Sequence, residues 1–187
     1  MKKMEKTIKL SNEVMVSDPC YKNPTWCQKK LTNVLHGDYK IFFYKSQLVR
    51  WGEVNSYLGV VHSGFVNENL SWRMLNEKIG VDSGQAGIFS YESYRNDAVV
   101  NSIKISQSDF SLNSYEDEGD RWYESMCKLT QATENYGSYE TGVVSFSGFG
   151  DGVYRCLVAK KNKMVVGICI DFGIENKPNK FINSLFK

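Results

Sequence analysis

The sequence lacks the spacings from which metal and nucleotide chemistry is usually read. Its 187 residues hold five cysteines, Cys20, Cys27, Cys127, Cys156 and Cys169, with no C-x-x-C pair, and two histidines, His36 and His62, far from them. Zinc-finger ligand spacing is therefore absent, and an odd number of cysteines does not build a disulfide framework. All five thiols are expected to stay reduced, with no metal bound and no cofactor. No glycine loop ends in the G-K-[ST] of a P-loop, and no acidic run has EF-hand spacing. Lysines and arginines number 23 against 21 aspartates and glutamates, a net charge of +2. That balance gives no sequence-independent grip on nucleic acid. Lys2, Lys3 and Lys6 precede no apolar run of signal-peptide or membrane-span length. The expectation is a soluble protein of the cytoplasm with no membrane partner.

What is present is a β-rich pattern. With 42% apolar and 24% charged residues, the chain reads as one globular domain over residues 1–187 that buries a full core. Short runs of β-branched and aromatic residues separated by turn signals predict an α+β fold, mainly antiparallel sheet. Strands are expected over Lys9 to Val16, Leu31 to Leu35, Tyr39 to Tyr44, Ser56 to His62, Ala86 to Ser90 and Val99 to Ile105, with Gly59 at a bulge or a close backbone approach. Trp26 to Leu31 reads as one helical turn, and Trp72 to Lys78 as a short helix or an irregular connection. Trp122, Met126 and Leu129, spaced i, i+4 and i+7, mark one main helix over about 120–130. Pro178 to Phe186 is expected to close the chain as a short helix. His62, after a valine pair, reads as a satisfied edge residue.

The strongest strand signal is a hairpin of Val153 to Lys160 and Met164 to Phe172, with Asn162 able to take positive φ in the turn. A two-residue loop at Lys161 and Asn162 puts Tyr154, Cys156 and Val158 on one face with Val165, Gly167, Cys169 and Asp171. Asp171 then lies opposite Gly152. Three polar, small-residue boxes stand out along the chain. The first is Ser17-Asp18-Pro19-Cys20-Tyr21, where Asp18 is either an Asx-type cap or a group at a pocket mouth. The second is Val81-Asp82-Ser83-Gly84-Gln85-Ala86-Gly87, which offers closely spaced donors and acceptors beside glycines that admit a ligand or a neighbouring strand. The third is Ser147-Gly148-Phe149-Gly150-Asp151-Gly152-Val153-Tyr154, whose glycine loop can present backbone N–H groups to an anion.

These boxes, with Ile170-Asp171-Phe172, resemble those of a family of small uncharacterised bacterial and phage proteins, catalogued as a domain of unknown function. Arg155 departs from the family pattern, which has a proline there. The resemblance assigns no activity; it implies a phage accessory protein at work in the bacterial host cytosol, of the kind that interferes with host defence. The residues themselves suggest that the boxes converge on one pocket, with Asp18, Tyr21, Asp82, Ser83, Gln85, Gly148, Gly150, Asp151, Tyr154 and Asp171 as ligand-binding residues and none catalytic. The leading expectation is a non-enzymatic binding protein that encloses a small polar, nucleotide-like ligand and sequesters it as a host defence signal. Two alternatives stand beside it: an aspartate-based, metal-dependent or metal-free hydrolase of such a ligand, and a protein–protein inhibitor or immunity-type module. No nucleophile–base pair is legible and neither histidine lies in a box, which places the hydrolase second. Oligomeric state is left open.

Overall fold

The computed structural model describes residues 2–103, 117–131, 135–174 and 182. In chain order the strands are β1 (Lys2–Leu10), β2 (Val14–Ser17), β3 (Lys29–Leu31), β4 (Gly37–Leu48), β5 (Gly52–His62), β6 (Trp72–Met74), β7 (Ile79–Val81) and β8 (Gln85–Ser90). The helix α1 (Asp120–Gln131) follows, then β9 (Tyr136–Tyr139), β10 (Gly142–Phe146), β11 (Gly152–Lys161) and β12 (Met164–Asp171). They form an α+β domain of two antiparallel sheets. The larger runs β1-β4-β5-β12-β11-β6, with β7 also paired to β11; the smaller runs β3-β2-β8-β10-β9.

Alternation along each strand explains how the layers stack. In β4, Tyr39, Ile41 and Phe43 point between the sheets, where they meet Val14, Val16, Ile88 and Val143 of the smaller sheet. Phe42 points the other way, onto a second apolar layer with Tyr57, Val61, Trp72, Leu157 and Ile182. Both faces of the larger sheet are thus covered, and its central strands read as continuous apolar runs. Gly59 is where the ring of Phe42 lies against the backbone: a Cβ there would sit 2.1 Å from the ring. The outer face of the smaller sheet carries α1, whose Trp122, Met126 and Leu129 pack with Met15, Phe89, Tyr139 and Val144. Trp122 is fully buried, and its indole N–H donates to the Tyr139 hydroxyl at 3.2 Å.

Several local expectations are corrected. Lys9 to Val16 is two strands, broken at residues 11–13, where the Ser11 hydroxyl donates to the Glu13 carbonyl. Residues 26–27 form a turn, and the strand that follows is Lys29–Leu31 instead of a helical turn leading to Leu35. Trp72–Met74 is an edge strand on β11. Residues Asp97–Ser102 form a 3₁₀ helix in place of a strand. There the Asn96 side chain accepts from the Ala98 N–H, and the Asp97 carboxylate accepts from the Trp122 and Gly119 N–H groups at 2.8 and 3.1 Å. A residue holding down the first turn of α1 fixes its own segment as a cap. The helix expected over Pro178 to Phe186 lies outside the described residues, apart from the buried Ile182.

The hairpin register also differs, for a reason that matters to the site. The turn residues are Asn162 and Lys163, both at positive φ (48° and 68°), as a twist-matched two-residue turn requires. Lys160 pairs with Val165, but Ala159 pairs with Gly167, so Val166 is an extra residue in β12. Beyond this bulge the grouping of faces inverts. Cys156 now pairs with Ile170, and Asp171 stands opposite Arg155 instead of Gly152.

Candidate functional site

All three boxes lie at one end of the two-sheet stack. Ser17 closes β2 opposite Gly87, Phe146 closes β10 opposite Gln85, and Gly152 opens β11 opposite Val81. Asp171 ends β12 at the same level. The turn between β4 and β5 reaches this end too, since β5 runs from there to pair Tyr57 with Asp171.

Asp18 joins the first two boxes. Its carboxylate is fully buried and accepts from the Cys20 N–H at 2.8 Å. It accepts as well from the Asp82 and Ser83 N–H groups at 2.8 and 2.7 Å, and from the Ser83 hydroxyl at 2.6 Å. A buried carboxylate with four donors has its charge solvated by the protein itself. It is a fastener for the 82–83 turn and has no lone pair aimed at solvent chemistry. Tyr94 buttresses the same corner: its hydroxyl lies 2.7 Å from the Tyr21 carbonyl and 2.9 Å from that of Asp18. Burial, with Asp82 and Cys27 as neighbours, raises the Tyr21 phenol above its ordinary pKa. Asp82 itself points to solvent.

Ser147 joins the second and third boxes. Its N–H donates to the Gly84 carbonyl at 2.8 Å, and its hydroxyl reaches the Gly150 carbonyl at 2.6 Å. The Tyr154 hydroxyl donates to that same carbonyl at 2.7 Å, while its ring packs edge-on against Phe172. A Cβ on Gly148 would lie 2.9 Å from the Asn55 carbonyl oxygen, and Gly150 has φ +90°. Glycine is needed at 148 for close approach and at 150 for the left-handed backbone. The loop is therefore held in one shape, with Asp151 exposed on it. Asp171 is buried and lies 3.0 Å from the Arg155 guanidinium. Its other oxygen accepts from the Gly173 N–H at 2.8 Å. The bulge at Val166 is what brings these two charges face to face.

The convergence thus has a different character from four carboxylates around one pocket. Asp18, Tyr154 and Asp171 direct their polar atoms inward, and Asp82 and Asp151 point outward. Two features at this end remain open. On one side, a cleft of about 480 Å³ is lined by Trp51, Val54, Gly148 and Phe149. Trp51 is 70% and Phe149 54% exposed, and their rings meet at 68° with centroids 5.8 Å apart. On the side of α1, the Gln85 amide is buried: its Nε2 donates to the Cys127 sulfur at 3.4 Å, and its Oε1 has no partner among the described residues. Half-buried Cys127 and Tyr123 of α1 neighbour each other there, and Tyr123 and half-buried Cys20 both approach Ser83. Burial, with the Asp18 carboxylate close by, pushes the Cys20 thiol from 9.0 up to about 12. Burial beside Cys127 raises the Tyr123 phenol likewise. At neutral pH the Cys20 thiol and the Tyr123 phenol are protonated, and Cys20 is no thiolate nucleophile.

Trp51, Val54, Tyr123 and Cys127 were not singled out in the sequence, and Phe149 was passed over inside its box. A tryptophan next to a glycine between two apolar runs, Val49-Arg50-Trp51-Gly52, was the available signal for the cleft. Nothing local marks Tyr123 or Cys127, which read as ordinary helix positions. Comparison of the chain with protein-family models, with curated proteins and with solved structures returns no match.

Proposed function

We propose that the protein binds, without chemically altering it, a small ligand carrying a flat, nucleobase-like ring, and that the ring docks in the cleft lined by Trp51, Val54, Gly148 and Phe149. The observation that carries this reading is the pair of large aromatic side chains left mostly exposed on a loop and a turn that are otherwise firmly held. Exposing so much aromatic surface forgoes about 1.5–3 kcal/mol of burial per side chain. A cleft of 480 Å³ is of small-molecule size, and because the two rings meet edge-on, a planar ligand docked there stacks on the face of one and packs against the other. Arg50, exposed beside Trp51, is placed to meet a phosphate on such a ligand. The state of the polar groups supports binding without chemistry: the carboxylate oxygens of Asp18 and Asp171 are engaged within the fold, and the Cys20 thiol is protonated. In a phage accessory protein of the kind the boxes resemble, such binding withholds a nucleotide-like signal from the host.

Calorimetric titration with a panel of nucleosides and linear and cyclic nucleotides tests the reading, with ligand recovered after heating and identified by mass. At least one compound is expected to bind and to return intact. Trp51→Ala and Phe149→Ala are each expected to weaken that binding by about 1–3 kcal/mol, a factor of roughly 5 to 150. Wild-type affinity in both variants, or recovery of a cleaved ligand, would contradict it.

A further inference from the structure

The α1 side of the box end carries a second inference, independent of the aromatic cleft. Gln85 opens β8 and points to the outer face of the smaller sheet, the same side as Phe89, where α1 packs. It is 5% exposed. One end of its amide reaches the Cys127 sulfur, and the other has no partner among the described residues. Turning the amide over exchanges Oε1 for Nε2 but still leaves one end unfilled. A buried amide with a missing hydrogen bond is a net cost to the fold, and an apolar residue of the same size would avoid it. Interiors rarely keep such a group without a use for it.

Four half-buried side chains give access to it. Ser83 donates its proton to Asp18, and its hydroxyl lies within hydrogen-bonding reach of Cys20 and Tyr123. Tyr123 and Cys127 lie one turn apart on α1, facing the 81–87 box, and Cys20 comes from the loop after Asp18. No cationic side chain is among them, and the Asp18 carboxylate stands behind Ser83 with Asp82 beside it. A carboxylate entering the corner would lose hydration and meet like charge. An uncharged group with a donor and an acceptor side by side would lose little and would complete Gln85. We propose that Gln85, Ser83, Tyr123 and Cys127 form a binding site for an uncharged amide-like edge, the donor–acceptor pattern of a carboxamide, a lactam or an imide.

The test uses a small aliphatic probe with no ring to stack in the Trp51–Phe149 cleft. Propionamide and its charged isostere propionate are titrated to millimolar concentration into isotope-labelled full-length protein, and the Gln85 side-chain N–H₂ resonances are followed. The expected result is a saturable shift with propionamide and none with propionate. Gln85→Leu is expected to fold, to melt at or above the wild-type temperature, and to abolish the propionamide-induced shifts of the Tyr123 and Cys127 resonances. Equal responses to both probes, no saturable response to propionamide, or a Gln85→Leu protein that melts well below wild type would overturn the proposal. The last outcome would mean that the amide is already satisfied and holds the fold.

Discussion

Asp18 and Gln85 belong to boxes that touch each other, and both are buried, yet they are treated in opposite ways. Asp18 collects four hydrogen bonds from two boxes. Gln85 has one, to a sulfur. The difference separates the part of a polar motif that builds a structure from the part that is left for something else. A carboxylate surrounded by backbone N–H groups is a solvated ion that happens to be inside a protein, and its removal strands every donor around it. An amide with an empty end contributes nothing to stability by staying polar. The same contrast recurs within the third box, where Tyr154 turns its hydroxyl inward onto Gly150 while Phe149 stands 54% exposed.

The contrast sets a ranking of effects. Asp18→Ala leaves three N–H groups and the Ser83 hydroxyl without their acceptor, and is expected to cost about 3–5 kcal/mol in chemical denaturation; a loss under ~1 kcal/mol would break the distinction between the two residues. Arg155→Met removes the cation that faces the buried Asp171 carboxylate. Its expected cost is about 2–3 kcal/mol, below the range for fully buried pairs because the guanidinium side chain is 34% exposed.

Alkaline pH acts on the uncharged thiols. Burial raises the Cys20 and Cys156 thiols from 9.0 to about 12 in the folded protein. The unfolded chain therefore releases these protons first, so their contribution is intact below pH 9.0 and is lost progressively as pH rises towards about 12. Melting temperature followed across that window is expected to fall, with a smaller fall in Cys20→Ser. Gln85→Leu is expected to stabilise by about 1 kcal/mol, opposite in sign to Asp18→Ala. Trp51→Ala, at 70% exposure, is expected to change stability by less than ~0.5 kcal/mol.

The sheet-rich class, the Trp122-Met126-Leu129 face of α1 and the close approach at Gly59 were legible because each depends on a local period or on a residue type with one physical meaning. The hairpin strands were legible for the same reason, but not their register. One extra residue, Val166, inverts which side chains face each other beyond it, and a valine within a valine-rich run carries no mark of being a bulge. With the turn lying one residue later than expected, that bulge moved Asp171 from opposite Gly152 to an ion pair with Arg155. The segment Asp97–Ser102 was misread because Val99 and Val100 have strand character, whereas the deciding partner, the start of α1, lies more than a dozen residues further along the chain. The three boxes were visible as boxes. Whether their polar atoms faced each other or solvent depends on contacts such as Asp18 with Ser83, 65 residues apart, which no local pattern encodes.

Asp151 and Phe149 share one loop and both are exposed, so they allow the most direct test. The measurement is calorimetric titration of wild type, Phe149→Ala and Asp151→Ala with whichever nucleotide of the panel binds wild type, each variant first checked for an unchanged melting temperature. The account predicts that Phe149→Ala loses most of the affinity and Asp151→Ala retains it. Loss in Asp151→Ala with wild-type binding in Phe149→Ala would contradict the account and return the site to the carboxylates.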